Sequence, residues 1–337
     1  MKWLLSLTAV MSGPTMAQTT PLFASEDPIR ITIKGPVAAI ARSAQKSTEP
    51  SDAALSLDGT AEMLPIKLSA RGITRRNKDV CDFPPLRVQF TNPPPDSSLF
   101  AHQRKLKLVT HCRSSEAFQQ HLLLEYSAYK IFNLISPASF RVRLATVNYA
   151  ESSGKVTATR WGFFIEDVSN AAHRIGMKQA KTGDRILPNQ LDPQQAARVA
   201  LFEYMIGNLD WSMRAGPKGE GCCHNGRLIG GSGPKYTPLP YDFDYSGLVD
   251  APYAVPPEGF KINSVKDRVF RGYCQFNPQA GAAAAEFRAQ RPAIEGIFGR
   301  LPLTDRTRGK ALGYLADFYS EIADDNTLSA KVLKNCI

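Results

Sequence analysis

The chain has 337 residues, of which 43% are hydrophobic and 21% charged, with a formal net charge of +10. That length allows one large domain or two ordinary ones, and no internal apolar run approaches the roughly 18 residues of a membrane span. The positive balance favours anionic partners, but the basic residues are spread along the chain. Their one local cluster, "RGITRRNK" (Arg71 to Lys78), has no interleaved aromatic stripe, so nucleic acid is not the expected partner.

In chain order, "MKWLLSLTAVMSGPTMAQ" reads as a secretory signal peptide. Lys2 is the positive region, Trp3 to Met11 the apolar region, and Thr15-Met16-Ala17 the cleavage site. The mature protein is therefore expected to be secreted or periplasmic. Residues 18–60 are rich in Ala, Ser, Thr and Pro and read as an N-terminal extension, mostly linker, with a strand near Ile29–Ile33. Strand period follows three times: Leu64, Ile66 and Leu68; then Leu86, Val88 and Phe90; then Leu106 and Leu108, with Lys105 and Lys107 on the opposite face. A helix is predicted from Ser114–Ser115 to the stop at Pro137. Two strands then form a hairpin around Ser152–Gly154. Asp192–Pro193 opens an amphipathic helix that runs into "GNLDW". Short strands at "GRLIGG" and "KYTPLP" precede "PYDFDYSG", and the clearest later helices cover 279–291 and 304–323.

Six cysteines in an exported chain point to disulfides, with 15 possible connectivities. Cys81 and Cys112 flank predicted strands and are expected to pair. Cys222 and Cys223 are expected to reach distant partners, Cys274 or Cys336, rather than each other. A zinc site built on Cys222, Cys223 and His224 competes, without the usual C-x-x-C spacing. The histidines form no catalytic set, and no serine sits in a G-x-S-x-G elbow, which disfavours a hydrolase.

Asp210, Asn225, Asp242 and Asp244 fall within 35 residues, among glycines. Asp242 and Asp244 are two apart, so on a strand both face one side. Like charges held together call for a cation between them. Strands carrying one helix, then a helical half with acidic loops, match the element order of a phosphotransferase, in which magnesium takes oxygen ligands and fixed cations meet the transferred phosphoryl.

At residues 64–250 the chain resembles the CotH-like secreted kinases. The segments that carry this are "RKLKLVTHC", "YSAYKIFNLISPASFRVRLATVNY", "WGFFIEDV", "IGNLDW…HNGRLI" and "PYDFDYSG". The resemblance implies an α+β, protein-kinase-like two-lobed fold. Its N-terminal lobe (61–170) would be an antiparallel sheet with one helix, and its C-terminal lobe (171–337) mainly helical. It implies Asp210 as catalytic base, with Asn225, Asp242 and Asp244 as metal ligands. Lys107 would contact phosphates with Glu125 as its partner, and Glu166 would lie at the hinge beside adenine. ATP and Mg2+, with Mn2+ as an alternative, would be the cofactors, and an exported protein or small molecule the acceptor. Two departures stand out. Fifteen positions separate Asp210 from Asn225, and no G-x-G-x-x-G precedes the site. Around Gly72, Arg71, Arg75 and Arg76 would replace backbone amides as the phosphate cradle. Because ATP is scarce outside the cytoplasm, the alternative is a non-catalytic binding or scaffold protein of the cell envelope.

Overall fold

The computed structural model describes residues 19–337, so the signal peptide read over residues 1–17 lies outside the described residues. The described chain opens with helix α1 (Pro21–Ala24), strand β1 (Ile29–Lys34), helix α2 (Val37–Ser43) and strand β2 (Ser51–Leu57). The stretch expected to be mostly linker thus supplies two strands and two helices. Its composition was misleading because the few apolar residues scattered among the small ones are enough to anchor these elements in the core. Ile31, Ile33, Val37, Ile40, Ala44 and Leu55 are all buried.

Strands β3 (Met63–Ala70), β4 (Leu86–Phe90) and β5 (Lys105–Val109) follow where the period-two pattern placed them. Helix α3 (Glu116–Ile135) starts at N-cap Ser115, and strands β6 (Val142–Ala150) and β7 (Val156–Ile165) form the expected hairpin. The seven strands close into a barrel in the order β1-β2-β3-β4-β5-β7-β6. The joint is parallel, β1 on β6, from Ile29↔Ala145 to Lys34↔Ala150; the other pairings are antiparallel.

Closure corrects the expected architecture. The sheet is a closed mixed barrel rather than an open antiparallel one, and helix makes up only 35% of the structure, so the two-lobed kinase fold with a helical C-terminal lobe does not hold. The physical reason lies in β1. It docks beside β6 and removes both free edges, each of which would otherwise expose a row of unpaired backbone groups. Side chains fill the interior, as in small barrels generally. Ile66, Leu68, Val88, Leu108, Val147 and Phe164 are among them.

The second half contains helix α4 (Val168–Arg174), strand β8 (Lys178–Gln179), helix α5 (Pro193–Ile206) and strands β9 (Gly226–Gly230) and β10 (Tyr236–Pro240). Helices α6 (Asn277–Arg300), α7 (Asp305–Glu321) and α8 (Asp325–Lys331) follow. Strands β10, β9 and β8 make a small second sheet. Helix α5 has the Asp192 cap and Pro at its start, as the sequence indicated. Among the described residues no helix is long and apolar enough to cross a membrane.

A second hydrophobic core joins α3, α5, α6 and α7 to the outer wall of the barrel. Phe132, Phe163, Phe202, Phe243, Phe287 and Phe318 belong to it. Helix α3 is the bridge, packing on β6 and β7 on one side and on α5 and α6 on the other.

Cys81–Cys112 pair as expected. The other two bridges differ from expectation: Cys222 bonds Cys223, and Cys274 bonds Cys336. The chain end decides this. Cys274 N–H donates to Ile337 O and Ile337 N–H to Gly272 O, which brings the Cys274 and Cys336 Cα atoms to 5.0 Å. The 62-residue separation makes that bridge worth about 4 kcal/mol in a chain-entropy account. With both thiols of Cys222 and Cys223 consumed, the zinc reading loses two of its three ligands.

Candidate functional site

The loop after α5 is built to present Asp210. Gly207 ends the helix in the left-handed region at φ 64°, and a Cβ there would stand 2.0 Å from the Tyr314 hydroxyl, so only glycine fits. Asn208 then bridges inward: its amide donates to Glu203 Oε2 at 2.9 Å, and its Oδ1 accepts from the Asp210 N–H at 3.0 Å. Arg271 clamps the other side, donating to Leu209 O at 2.7 Å and Trp211 O at 2.6 Å. Glu203 is fully buried with Oε1 unpartnered, and burial pushes its carboxyl up to about 8.

The glycine-rich excursion then returns to Asp210. Ser212 N–H donates to His224 O and His224 N–H to Ala215 O. As a result His224 Nε2 lies 2.7 Å from Asp210 Oδ1, and Asn225 Nδ2 donates to Asp210 O at 2.7 Å and to Oδ2 at 3.0 Å. The hydrogen bond with Asp210 raises the His224 pKa against the opposing effect of burial. The insertion between Asp210 and Asn225 is therefore closed by backbone pairing, which brings the two residues into contact. The His224 contact carried no sequence signal, because the fourteen-residue separation means nothing until the loop folds.

The acidic turn follows β10. Phe243 is fully buried against Tyr129 and Phe202, which turns its neighbours Asp242 and Asp244 away from the core. Asp242 holds φ 69° and Asn225 φ 45°, left-handed positions that Asn and Asp tolerate better than most residues. The Tyr129 hydroxyl meets the Asp242 N–H at 2.9 Å.

Both carboxylates converge on Arg75, not on each other across an open gap. Arg75 Nη2 is 3.3 Å from Asp242 Oδ1, Nε is 3.2 Å from Asp244 Oδ2, and Nη1 is 3.2 Å from Glu125 Oε2. Arg75, Glu125 and Asp244 are buried. Burial pushes the Glu125 and Asp244 carboxyls upward, against the pull of Arg75. Glu125 therefore partners Arg75, not Lys107 as expected. Arg75 arrives on a 3-10 turn, Thr74–Arg76, which Gly72 makes possible at φ 87°.

Arg71, Lys107 and Arg227 surround the next stretch. Lys107 Nζ lies 4.5 Å from the Tyr241 ring centroid and the Arg227 guanidinium 4.7 Å from it. Among the described residues none of the three forms an ion pair with a carboxylate. Burial, then the charges of Arg71 and Arg227, lower the Lys107 pKa to about 7. Arg71 is likewise lowered, by burial first, with Asp242 opposing. Arg76 is elsewhere, donating to the carbonyls of Gly72 and Ala44.

A cleft of about 270 Å3 is lined by Arg71, Arg75, Asp210, His224, Asn225, Arg227, Tyr241, Asp242 and Asp244 among others, with Lys107 against its Tyr241 ring. A neighbouring cavity of about 290 Å3 shares Asp210, His224 and Tyr245 and adds the apolar Val255, Pro257 and Val265. A larger cavity, about 600 Å3 at the barrel rim beside Arg104 and Lys105, contains none of the predicted catalytic or metal residues. We place the site in the smaller cleft because acid, base and cationic groups meet there.

Two expectations fare differently. Glu166 is buried, and its carboxylate is taken by Arg174 and the Arg141 N–H, so it faces no open space. The Mg2+ set of Asn225, Asp242 and Asp244 does not fit: Arg75 pairs with both carboxylates, and with the Asn225 nitrogen held by Asp210 only the Asn225 oxygen is left to serve an ion. Among the described residues no group of acidic, His or Cys side chains is placed to hold an ion.

No family model and no curated protein matches the chain in sequence, so the resemblance to CotH-like kinases rests on its motifs alone. Among solved structures, the chain is similar to the Helicobacter pylori proinflammatory kinase CtkA. The identity is 11%, over 85% of this chain and 94% of that one, with a TM-score of 0.40.

Proposed function

We propose that the cleft binds the phosphate groups of a nucleotide such as ATP and transfers a phosphoryl group to a hydroxyl of an exported protein or small molecule. The observation that carries this reading is a cleft lined by Arg71 and Arg227, neither ion-paired, with the unpaired Lys107 over its Tyr241 ring, and by Asp210 with His224 and Asn225. Half-buried cations set close together repel one another, and an anionic ligand relieves that repulsion. In the proposed step the acceptor hydroxyl gives its proton to Asp210, and the new O–P bond forms as the bond to the leaving nucleotide breaks. The charge that develops on the phosphoryl and the leaving oxygen is met by the three cations. His224 and Asn225 fix the carboxylate by hydrogen bonds to its two oxygens.

Thermal melts with ATP, ADP and phosphate, paired with a phosphoryl-transfer assay, test this. A ligand at about a hundred times its Kd stabilises by about 2.7 kcal/mol. That shift is expected to vanish in Arg71→Met and Lys107→Met and to persist in Asp210→Asn, which loses transfer alone. Equal stabilisation of all three variants overturns the site. Binding without transfer in the native protein favours the second reading, a non-catalytic phosphate-binding module. The saturation of Asp242 and Asp244 by Arg75 supports that reading.

A further inference from the structure

We infer that Arg75 is a built-in cation standing where a divalent ion would, so that the cleft takes its phosphate-bearing ligand without a metal. The inference rests on the proposed phosphate site for its second half, while its first half concerns this chain's own side chains. Each nitrogen of the guanidinium has its own carboxylate: Nη1 with Glu125, Nη2 with Asp242, Nε with Asp244. A planar fork with fixed donor directions satisfies three carboxylates spread around its rim, whereas an ion needs oxygens that converge on one point.

The surroundings hold this arrangement in place from three sides. Glu125 comes from α3, one turn before Tyr129, whose hydroxyl meets the Asp242 N–H. Tyr253 donates to Asp244 Oδ2 at 3.0 Å, fixing the third partner. Arg75 itself is buried on the turn that follows β3. Asn225 gives its nitrogen to Asp210, and its oxygen alone makes no ion site while Arg75 holds the carboxylates. The carboxylates that the sequence suggests as metal ligands are therefore an internal counter-ion set. The cations left over for a ligand, Arg71, Lys107 and Arg227, are side chains and not ions.

Two measurements decide this. The first uses Mn2+ alone, titrated into the whole protein and followed by the free-ion EPR signal. The native protein is expected to bind none in the cleft, while Arg75→Met gains one Mn2+ that the further change Asp242→Asn removes. Native protein that takes up Mn2+ and loses this on Asp242→Asn overturns the inference, and this arm needs no Arg75 variant to fold. The second measures a fluorescent ATP analogue in EDTA and in Mg2+. Equal affinity in the two supports the inference; loss of binding in EDTA overturns it. No binding in either condition removes the phosphoryl-transfer reading instead, and the Mn2+ titration then decides on Arg75 by itself.

Discussion

Arg75 has a carboxylate for each of its guanidinium nitrogens; on the other side of Asp242, Arg71, Lys107 and Arg227 have none. The two clusters meet at one cleft, and each takes one arginine from the short basic stretch Arg71 to Lys78, yet they deal with charge in opposite ways. One sets three acid groups around a single guanidinium, with burial pushing Glu125 and Asp244 toward their neutral forms, and locks the barrel's β3 turn to α3 and to the acidic turn after β10. The other gathers three cations outside any ion pair, and Asp242 offsets the burial of Arg71 and Lys107 only in part. Compensated charge of the first kind holds the structure together. Partly compensated charge of the second kind points to a ligand, because the fold offsets only some of its cost.

The largest expected effect breaks the compensated side. Arg75→Met leaves buried carboxylates without a partner, and losing one partner of a buried pair costs about 3–5 kcal/mol. Chemical denaturation should show that loss, and adding Glu125→Gln to the variant should recover part of it. A loss below about 1 kcal/mol would show that the cluster contributes no more than a surface pair.

Next comes the chemistry at the junction. Asp210→Asn is expected to lower phosphoryl transfer by at least about a hundredfold, the low end for a proton-transfer group. Ligand stabilisation of the fold should stay intact. Equal loss of both would make Asp210 a binding or folding residue.

The partly compensated side gives a smaller effect with a distinctive sign. Lys107 has its pKa lowered to about 7 in the fold. The unfolded chain therefore binds the extra proton between about pH 7 and the ordinary lysine value, and native stability rises with pH across that window. Lys107→Met should remove that rise and stabilise the empty protein most below that window. The phosphate ligand should bind more weakly as pH climbs through about 7, since the ammonium is then lost. Melting curves of native and variant protein at about pH 6 and about pH 9 check this, and identical slopes would place Lys107 in ordinary solvent.

The smallest effect lies beneath the loop. Glu203 is raised by burial to about 8, so its contribution to stability is present in acid and is lost as pH rises from its unfolded value through about 8. Glu203→Gln should flatten that decline while keeping the Asn208 contact. A variant less stable than native protein at about pH 9 would show that the ionised carboxylate is the form the loop needs.

Much of the fold could be read in the sequence where the signal is local. Periodic Leu64–Leu68, Leu86–Phe90 and Leu106–Leu108 gave their strands, the Asp192–Pro193 cap gave α5, and the breaks at Gly154 and Pro137 set the hairpin and the end of α3. The acidic residues were legible as a group, because Asp and Asn beside glycines mark loops that can fold back together. Asp210 and Asn225 do meet, and Asp242 and Asp244 do face one cleft.

What the chain order alone determined was therefore which segments are strands and helices and which side chains could carry charge chemistry; period, capping and turn residues act within a few positions. Tertiary structure decided the rest, because it depends on contacts between positions far apart. The parallel docking of Ile29–Lys34 on Ala145–Ala150 turned a sheet into a barrel, and the 167 positions between Arg75 and Asp242 collapsed to 3.3 Å. Whether an acidic pair faces a metal or an arginine is set by which cation the packed chain brings nearest, and no local pattern encodes that distance.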